Sequence, residues 1–178
     1  MPGRLEGKKI LMVISPANFR DEELLEPKAE FEKAGGSVTV ASTKPGSCRG
    51  MLGAAAVAEI GVGAAKPGDY DAVVIVGGAG SPQYLWNDAA VHDILRKAHA
   101  AGKVVAGICL SGAALANAGI LKGVKATVYA TPESRKALAD GGAHYVPEDV
   151  VVSGKTITAE GPAAAKKFAL KIIEALER

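Results

Sequence analysis

What most constrains this chain is a rhythm. Short runs apolar at nearly every position alternate with longer stretches apolar only at every third or fourth. Residues 9–14, 37–42, 72–76, 103–108 and 126–129 are of the first kind, rich in Val, Ile and other β-formers. A strand with one wet face alternates apolar and polar side chains. These runs do not, so both faces must be covered, as in a parallel sheet with helices on each side.

The stretches between them have readable helix ends. Asp88 caps a helix whose Val91, Ile94, Leu95 and Ala98 recur at i, i+3, i+4 and i+7 before Gly102 ends it. Thr131-Pro132-Glu133 is a cap followed by proline at the first helical position, and Gly141 closes that helix. Pro162 opens the last one, with Ala165, Phe168, Ile172 and Leu176 as its apolar stripe. The succession predicts an α/β fold, doubly wound about a mostly parallel central sheet. Residues 45–69, rich in Gly and Ala, are expected to form an irregular excursion or small hairpin. Residues 150–153 and 156–158, joined around Gly154-Lys155, read as a hairpin beside the sheet.

With 178 residues the chain is expected to be one domain, 1–178, large enough for a packed core. Lys+Arg 21 against Asp+Glu 19 gives a net charge of +2, which lacks the positive excess of a nucleic-acid binder. No apolar run reaches the roughly 18 residues of a membrane span, and no signal peptide is visible, so a cytoplasmic protein is expected. In that compartment Cys48 and Cys109 are read as thiols.

In open α/β sheets ligands gather beyond the carboxyl ends of the strands, which brings together the turns at 15–23, 77–82, 107–112 and 130–132. The turn Gly107-Ile108-Cys109-Leu110-Ser111-Gly112 has the layout of a nucleophile elbow, in which a side chain is held up between small neighbours. Facing the first amides of a helix, Cys109 would be favoured as thiolate; the alternative is a structural cysteine in an Ala/Gly-rich seam. Gly77-Gly78 would let backbone amides approach a developing oxyanion, or would make a plain tight turn. In Phe19-Arg20-Asp21-Glu22-Glu23, Asp21 suits a helix cap, and at most one of Glu22 and Glu23, about 100° apart on a helix, faces the thiol. Pro27 removes the partner of the Glu23 carbonyl and loosens the helix there.

Taken together and in order, Phe19-Arg20-Asp21-Glu22-Glu23 with Glu26-Pro27, Val76-Gly77-Gly78, Gly107-Ile108-Cys109, Ala118-Gly119-Ile120-Leu121 and Thr158-Ala159-Glu160-Gly161-Pro162 resemble the DJ-1/PfpI superfamily. The resemblance implies a flavodoxin-like sandwich with Cys109 as nucleophile, Glu23 as its protonated carboxyl neighbour, and the amides of Gly78 and Leu110, beside Gly77, as oxyanion donors. It also implies a homodimer or higher homo-oligomer, and an activity among those of cysteine peptidases, glyoxalases, deglycases, redox sensors and chaperones.

The chain departs from the peptidase pattern. Leu110 stands where those members carry histidine, the turn Ala130-Thr131-Pro132 has none either, and Glu160 occupies a place where many relatives have arginine. His92 and His99 are read as solvated, and His144 as packing near an interface or approaching the site. Cys48 is read as a loop thiol. Trp86 and Tyr84 are expected to wall the pocket, a subunit contact or the core. The resulting expectation is a cofactor-independent glyoxalase or deglycase acting on a small aldehyde or glycated substrate, with no metal site. The alternatives are a PfpI-type cysteine peptidase and a redox-sensing chaperone.

Overall fold

Four of the five apolar runs lie side by side in the computed structural model, which describes residues 3–178. In chain order the strands are β1 (Lys9–Val13), β2 (Ala17–Phe19), β3 (Ser37–Ser42), β4 (Gly46–Gly50), β5 (Ala55–Ala58), β6 (Ile60–Gly61), β7 (Ala72–Ile75), β8 (Val104–Ile108), β9 (Lys125–Ala126), β10 (His144–Tyr145), β11 (Val150–Ser153) and β12 (Thr156–Ala159). The helices are α1 (Asp21–Lys33), α2 (Ser81–Tyr84), α3 (Ala89–Ala100), α4 (Gly112–Asn117), α5 (Pro132–Asp140) and α6 (Ala165–Glu177). The main sheet runs β11-β12-β8-β7-β1-β3-β6, and all its pairs are parallel except β11 with β12.

Both faces of this sheet are dry, as the apolar runs require. On β1, Ile10 and Met12 enter one core with Leu24 and Phe31 of α1 and Phe168 and Ile172 of α6. Leu11 and Val13 enter the opposite core with Val91, Ile94 and Leu95 of α3 and Leu115 of α4. All four β1 residues are 0% exposed, and each buried side chain of this size contributes roughly 1.5–3 kcal/mol. The crossover from β1 to β3 passes over the α1 face, and that from β7 to β8 passes over the α3 face. The winding therefore reverses between β1 and β7, and the loops after β1, β7 and β8 meet at that switch point.

The helix ends follow the chemistry of their residues. The Asp88 carboxylate accepts from the Val91 N–H at 3.0 Å, and Thr131 forms a reciprocal capping box with Ser134. Among the described residues no helix is long and apolar enough to cross a membrane.

Three expectations need correction. Residues 126–129 are not a core strand: only Lys125–Ala126 is extended, paired with β10 in a separate two-stranded sheet. The edge of β8 that it would occupy is taken by β12, so the hairpin expected beside the sheet lies within it. The Thr127 N–H instead donates to the Thr158 hydroxyl, a side-chain acceptor that substitutes for a ladder bond. Of the two forms expected for residues 45–69 the small hairpin is the one seen: β4 and β5 pair antiparallel and join β2 in a three-stranded sheet. Finally, Cys48 is a buried strand residue in the core with α1 and α6, not a loop thiol.

Candidate active site

Strand β8 ends at Ile108 in extended backbone, and the next residue turns sharply. Cys109 has φ +60°, a left-handed conformation that costs a residue with a Cβ about 1–2 kcal/mol. Surrounding bonds enforce it. The Tyr129 N–H donates to the Cys109 carbonyl at 3.1 Å, and the Trp86 indole donates to the Leu110 carbonyl at 2.8 Å. Ser111 Oγ, linked to Ser81 Oγ, donates to the Val76 carbonyl at 2.6 Å and so ties the turn to the end of β7. The side chain of Cys109 stands at the base of a cleft and is 6% exposed.

The loop after β1 brings Glu23 to the same point. Glu23 lies in the first turn of α1 and is 0% exposed, and neither carboxyl oxygen has a well-formed hydrogen bond among the described residues. A buried polar group without a partner costs free energy, so its presence requires a reason beyond packing. The crowding explains Gly77: a Cβ there would fall 2.5 Å from Glu23 Oε1 and 2.6 Å from Cys109 Cβ, which puts the two side chains against one another. Gly78 has φ +112°, and its Cβ would fall 2.5 Å from the Asn18 carbonyl oxygen. Only glycine fits either place.

The other acids of this loop have different tasks. Asp21 does not cap α1, as its residue type suggested. It is buried, and its carboxylate accepts the N–H groups of Leu52 at 3.0 Å and Ala54 at 2.8 Å, holding the tip of the β4–β5 hairpin. Glu22 pairs with Arg20, accepting from its Nε and Nη2, while the Arg20 N–H donates to the Gly77 carbonyl. α1 continues through Pro27, whose ring leaves the Glu23 carbonyl without its usual partner.

Burial sets the electrostatics. It pushes Glu23 up to about 8 from 4.5, against smaller lowering from the Cys109 thiol, the Gly77 N–H and Arg20. At neutral pH Glu23 is therefore mostly a neutral acid. Burial, and next the charge that Glu23 carries once ionised, push Cys109 up to about 12, opposed by the N–H groups of Leu110 and Gly78. This corrects the expectation that helix amides would favour the thiolate: α4 spans only 6 residues, and desolvation outweighs the amides. The two groups share a proton more readily than either loses one alone. With Glu23 protonated its repulsion of the sulfur disappears, and its O–H becomes a donor to a thiolate.

The cleft has a volume of about 310 Å³ and includes Arg20, Met51, Gly78, Cys109, Leu110 and Tyr129 in its lining. Met51 arrives from the hairpin tip that Asp21 clamps, a contact that sequence spacing does not reveal. Trp86 and Tyr84 do not line it; both pack against the α3-side core. None of the three histidines is at the cleft. His92 is not solvated but half-buried, with Nε2 2.7 Å from the Trp86 carbonyl; His99 is exposed; His144 sits exposed in β10.

This arrangement has counterparts. The DJ-1/PfpI family model matches residues 8–175. An uncharacterized protein of Methanocaldococcus jannaschii is 48% identical over 98% of this chain and 85% of its own. A deglycase of Pyrococcus abyssi is 31% identical over 85% of this chain and 90% of its own, and a glutathione-independent glyoxalase of Caenorhabditis elegans is 28% identical over 96% and 89%. The crystal structure of a ThiJ/PfpI domain protein from Brachyspira murdochii superposes with a TM-score of 0.90 at 36% identity, covering 96% of this chain and 98% of that one. With a match over nearly its whole length and the same flavodoxin-like α/β fold, the chain belongs to the DJ-1/PfpI family.

Proposed function

We propose that this protein is a cofactor-independent glyoxalase or deglycase in which Cys109 and Glu23 convert 2-oxoaldehydes such as methylglyoxal to 2-hydroxy acids. The observation that carries the reading is a neutral buried carboxyl beside a cysteine on a strained elbow, under the amides of Gly78 and Leu110. The names of the deglycase and glyoxalase relatives agree with it.

The chemistry needs nothing else. When the Cys109–Glu23 pair has lost one proton, the sulfur attacks the aldehyde carbon and the carbonyl oxygen takes the proton held by Glu23, giving a hemithioacetal. Glu23, now a carboxylate, removes the hydrogen of that carbon as a proton and returns it to the neighbouring carbonyl carbon, while the hydroxyl proton passes between the two oxygens. The product is a 2-hydroxy thioester. Water adds to its carbonyl, the thiolate leaves and is reprotonated, and the sum is methylglyoxal plus water to lactate. The Gly78 and Leu110 amides suit the oxyanion that forms at the aldehyde oxygen. A peptidase of the PfpI type would pair its cysteine with a histidine, and no histidine lines the cleft among the described residues.

Wild type, Cys109→Ser and Glu23→Gln incubated with methylglyoxal, without glutathione and with a chelator, test this. Lactate should form with wild type and fall by at least about a hundredfold in either variant, the lower bound for losing an acid–base or nucleophilic group. Turnover retained by Cys109→Ser, or casein cleavage dependent on Cys109 without lactate formation, would overturn it.

A further inference from the structure

The mouth of the cleft carries one cation of fixed orientation. Arg20 Nε donates to both Glu22 oxygens at 3.0 and 3.2 Å, and Nη2 donates at 2.8 Å. A guanidinium has two donor edges, and this pairing takes the side-on edge of Nε and Nη2. The end-on edge, carrying Nη1, has no hydrogen bond among the described residues, and the side chain is 29% exposed. An ion pair this open contributes little to stability. The pairing fixes the guanidinium by one edge and leaves the other free on a side chain that lines the cleft.

Among the residues that line the cleft Arg20 alone carries a fixed charge, and the one anion beside it is its own partner Glu22, which occupies the side-on edge and lies outside the lining. Met51, Ala79, Leu110, Tyr129 and Pro162 supply apolar or aromatic walls, and Glu23 is held neutral below about pH 8. An arginine stays protonated throughout. A ligand reaching Cys109 therefore meets apolar surface and the guanidinium at the mouth.

We propose that Arg20 is the specificity-determining residue of this cleft, and that it selects 2-oxoaldehydes bearing a planar or tetrahedral oxyanion, a carboxylate or a phosphate, at the end remote from the aldehyde. The inference rests on the dicarbonyl reading above and names its substrate class. Such a molecule places its anion on the end-on edge of Arg20 and its aldehyde on Cys109, with the carbon chain along Met51 and Tyr129. Methylglyoxal, which has no anion, uses only the reactive end.

Binding of compounds that cannot react separates the two readings. 4-Oxopentanoate and 3-oxobutyl phosphate carry a ketone and an anion but no aldehyde, and 2-pentanone is a neutral counterpart. Measured by NMR titration, wild type should bind at least one of the anions about tenfold or more tightly than 2-pentanone, the factor expected of hydrogen bonds to a charged group. Whichever of the two is preferred identifies the anion. Arg20→Gln should bring that preference close to one, and Arg20→Lys should keep only part of it, since an ammonium lacks the fork. Because each preference is a ratio within one protein, it does not depend on equal stability of the variants. No preference in wild type, or an undiminished one in Arg20→Gln, would overturn the proposal. With 4,5-dioxopentanoate and methylglyoxal as substrates, the ratio of kcat/KM should follow the same order. Loss of turnover on both dicarbonyls with the binding preference intact would remove the proposed reaction and leave the role of Arg20 standing.

Discussion

Glu23→Gln should make the protein more stable as the pH rises, while abolishing its chemistry. The carboxyl is held up to about 8 in the fold, against 4.5 for an ordinary glutamate. The folded state keeps a proton that the unfolded chain gives up, so the stability associated with that proton is complete below about pH 4.5 and is lost as pH rises to about 8. At 1.36 kcal/mol per pH unit, and allowing for partial titration at both ends, wild type loses about 3–4 kcal/mol between pH 5 and pH 8 through this group. Glutamine is neutral throughout and nearly isosteric with the protonated acid. The difference in unfolding free energy between Glu23→Gln and wild type should therefore grow by about 3–4 kcal/mol over that interval, a large share of the 5–15 kcal/mol of a typical domain. In melting temperature this is roughly 10 °C. Urea titrations at pH 5, 6, 7 and 8, in reductant and followed by the fluorescence of Trp86, the single tryptophan, measure it directly. The second proton of the Cys109–Glu23 pair leaves well above this range. If the difference is flat with pH, Glu23 is ionised in the fold at neutral pH, and the neutral-acid mechanism fails with it.

Other consequences are as direct. The rate with methylglyoxal at low substrate should rise about tenfold per pH unit below pH 8 and level off above it, because the reactive ionisation is a singly deprotonated pair; a profile level from pH 6 would place that ionisation elsewhere. Gly78→Ala, which puts a Cβ 2.5 Å from the Asn18 carbonyl oxygen at φ +112°, should cost at least about 3 kcal/mol in urea unfolding. Asp21→Ala removes the acceptor of the Leu52 and Ala54 N–H groups and should destabilise by about 2–4 kcal/mol. It should also speed proteolytic cleavage at residues 51–54, and a cleavage pattern like that of wild type would contradict the clamp. Trp86→Phe keeps an aromatic side chain, though a smaller one, and removes the donor to the Leu110 carbonyl, so kcat should fall several-fold with little change in KM.

The failures of sequence reading share a cause. The stripe of α3 and the caps at Asp88 and Thr131 are set by neighbours within four residues, and they were legible. Asp21 looked like a cap by the same local logic, but its partners lie 31 and 33 residues away, and two backbone donors outcompete one helix end. Residues 126–129 have strand composition, yet β8 has only two edges, and β7 and β12 hold them. For residues 45–69 a hairpin and an irregular excursion stood side by side because Gly and Ala carry no strand preference; pairing to β2 decides for the hairpin. Arg20 lay inside a motif noticed for its acids.

By itself the chain dictated the winding and the elbow. Apolar periodicity and backbone sterics are short-range, so β1, β7 and β8 and the tight turn at Gly107-Ile108-Cys109 are written where they occur. Only the tertiary structure decided that burial pushes both the Glu23 carboxyl and the Cys109 thiol up, and that Met51 and Tyr129 wall the cleft. Desolvation is a property of everything packed around a group, and most of what surrounds Glu23 and Cys109 comes from residues distant in the chain.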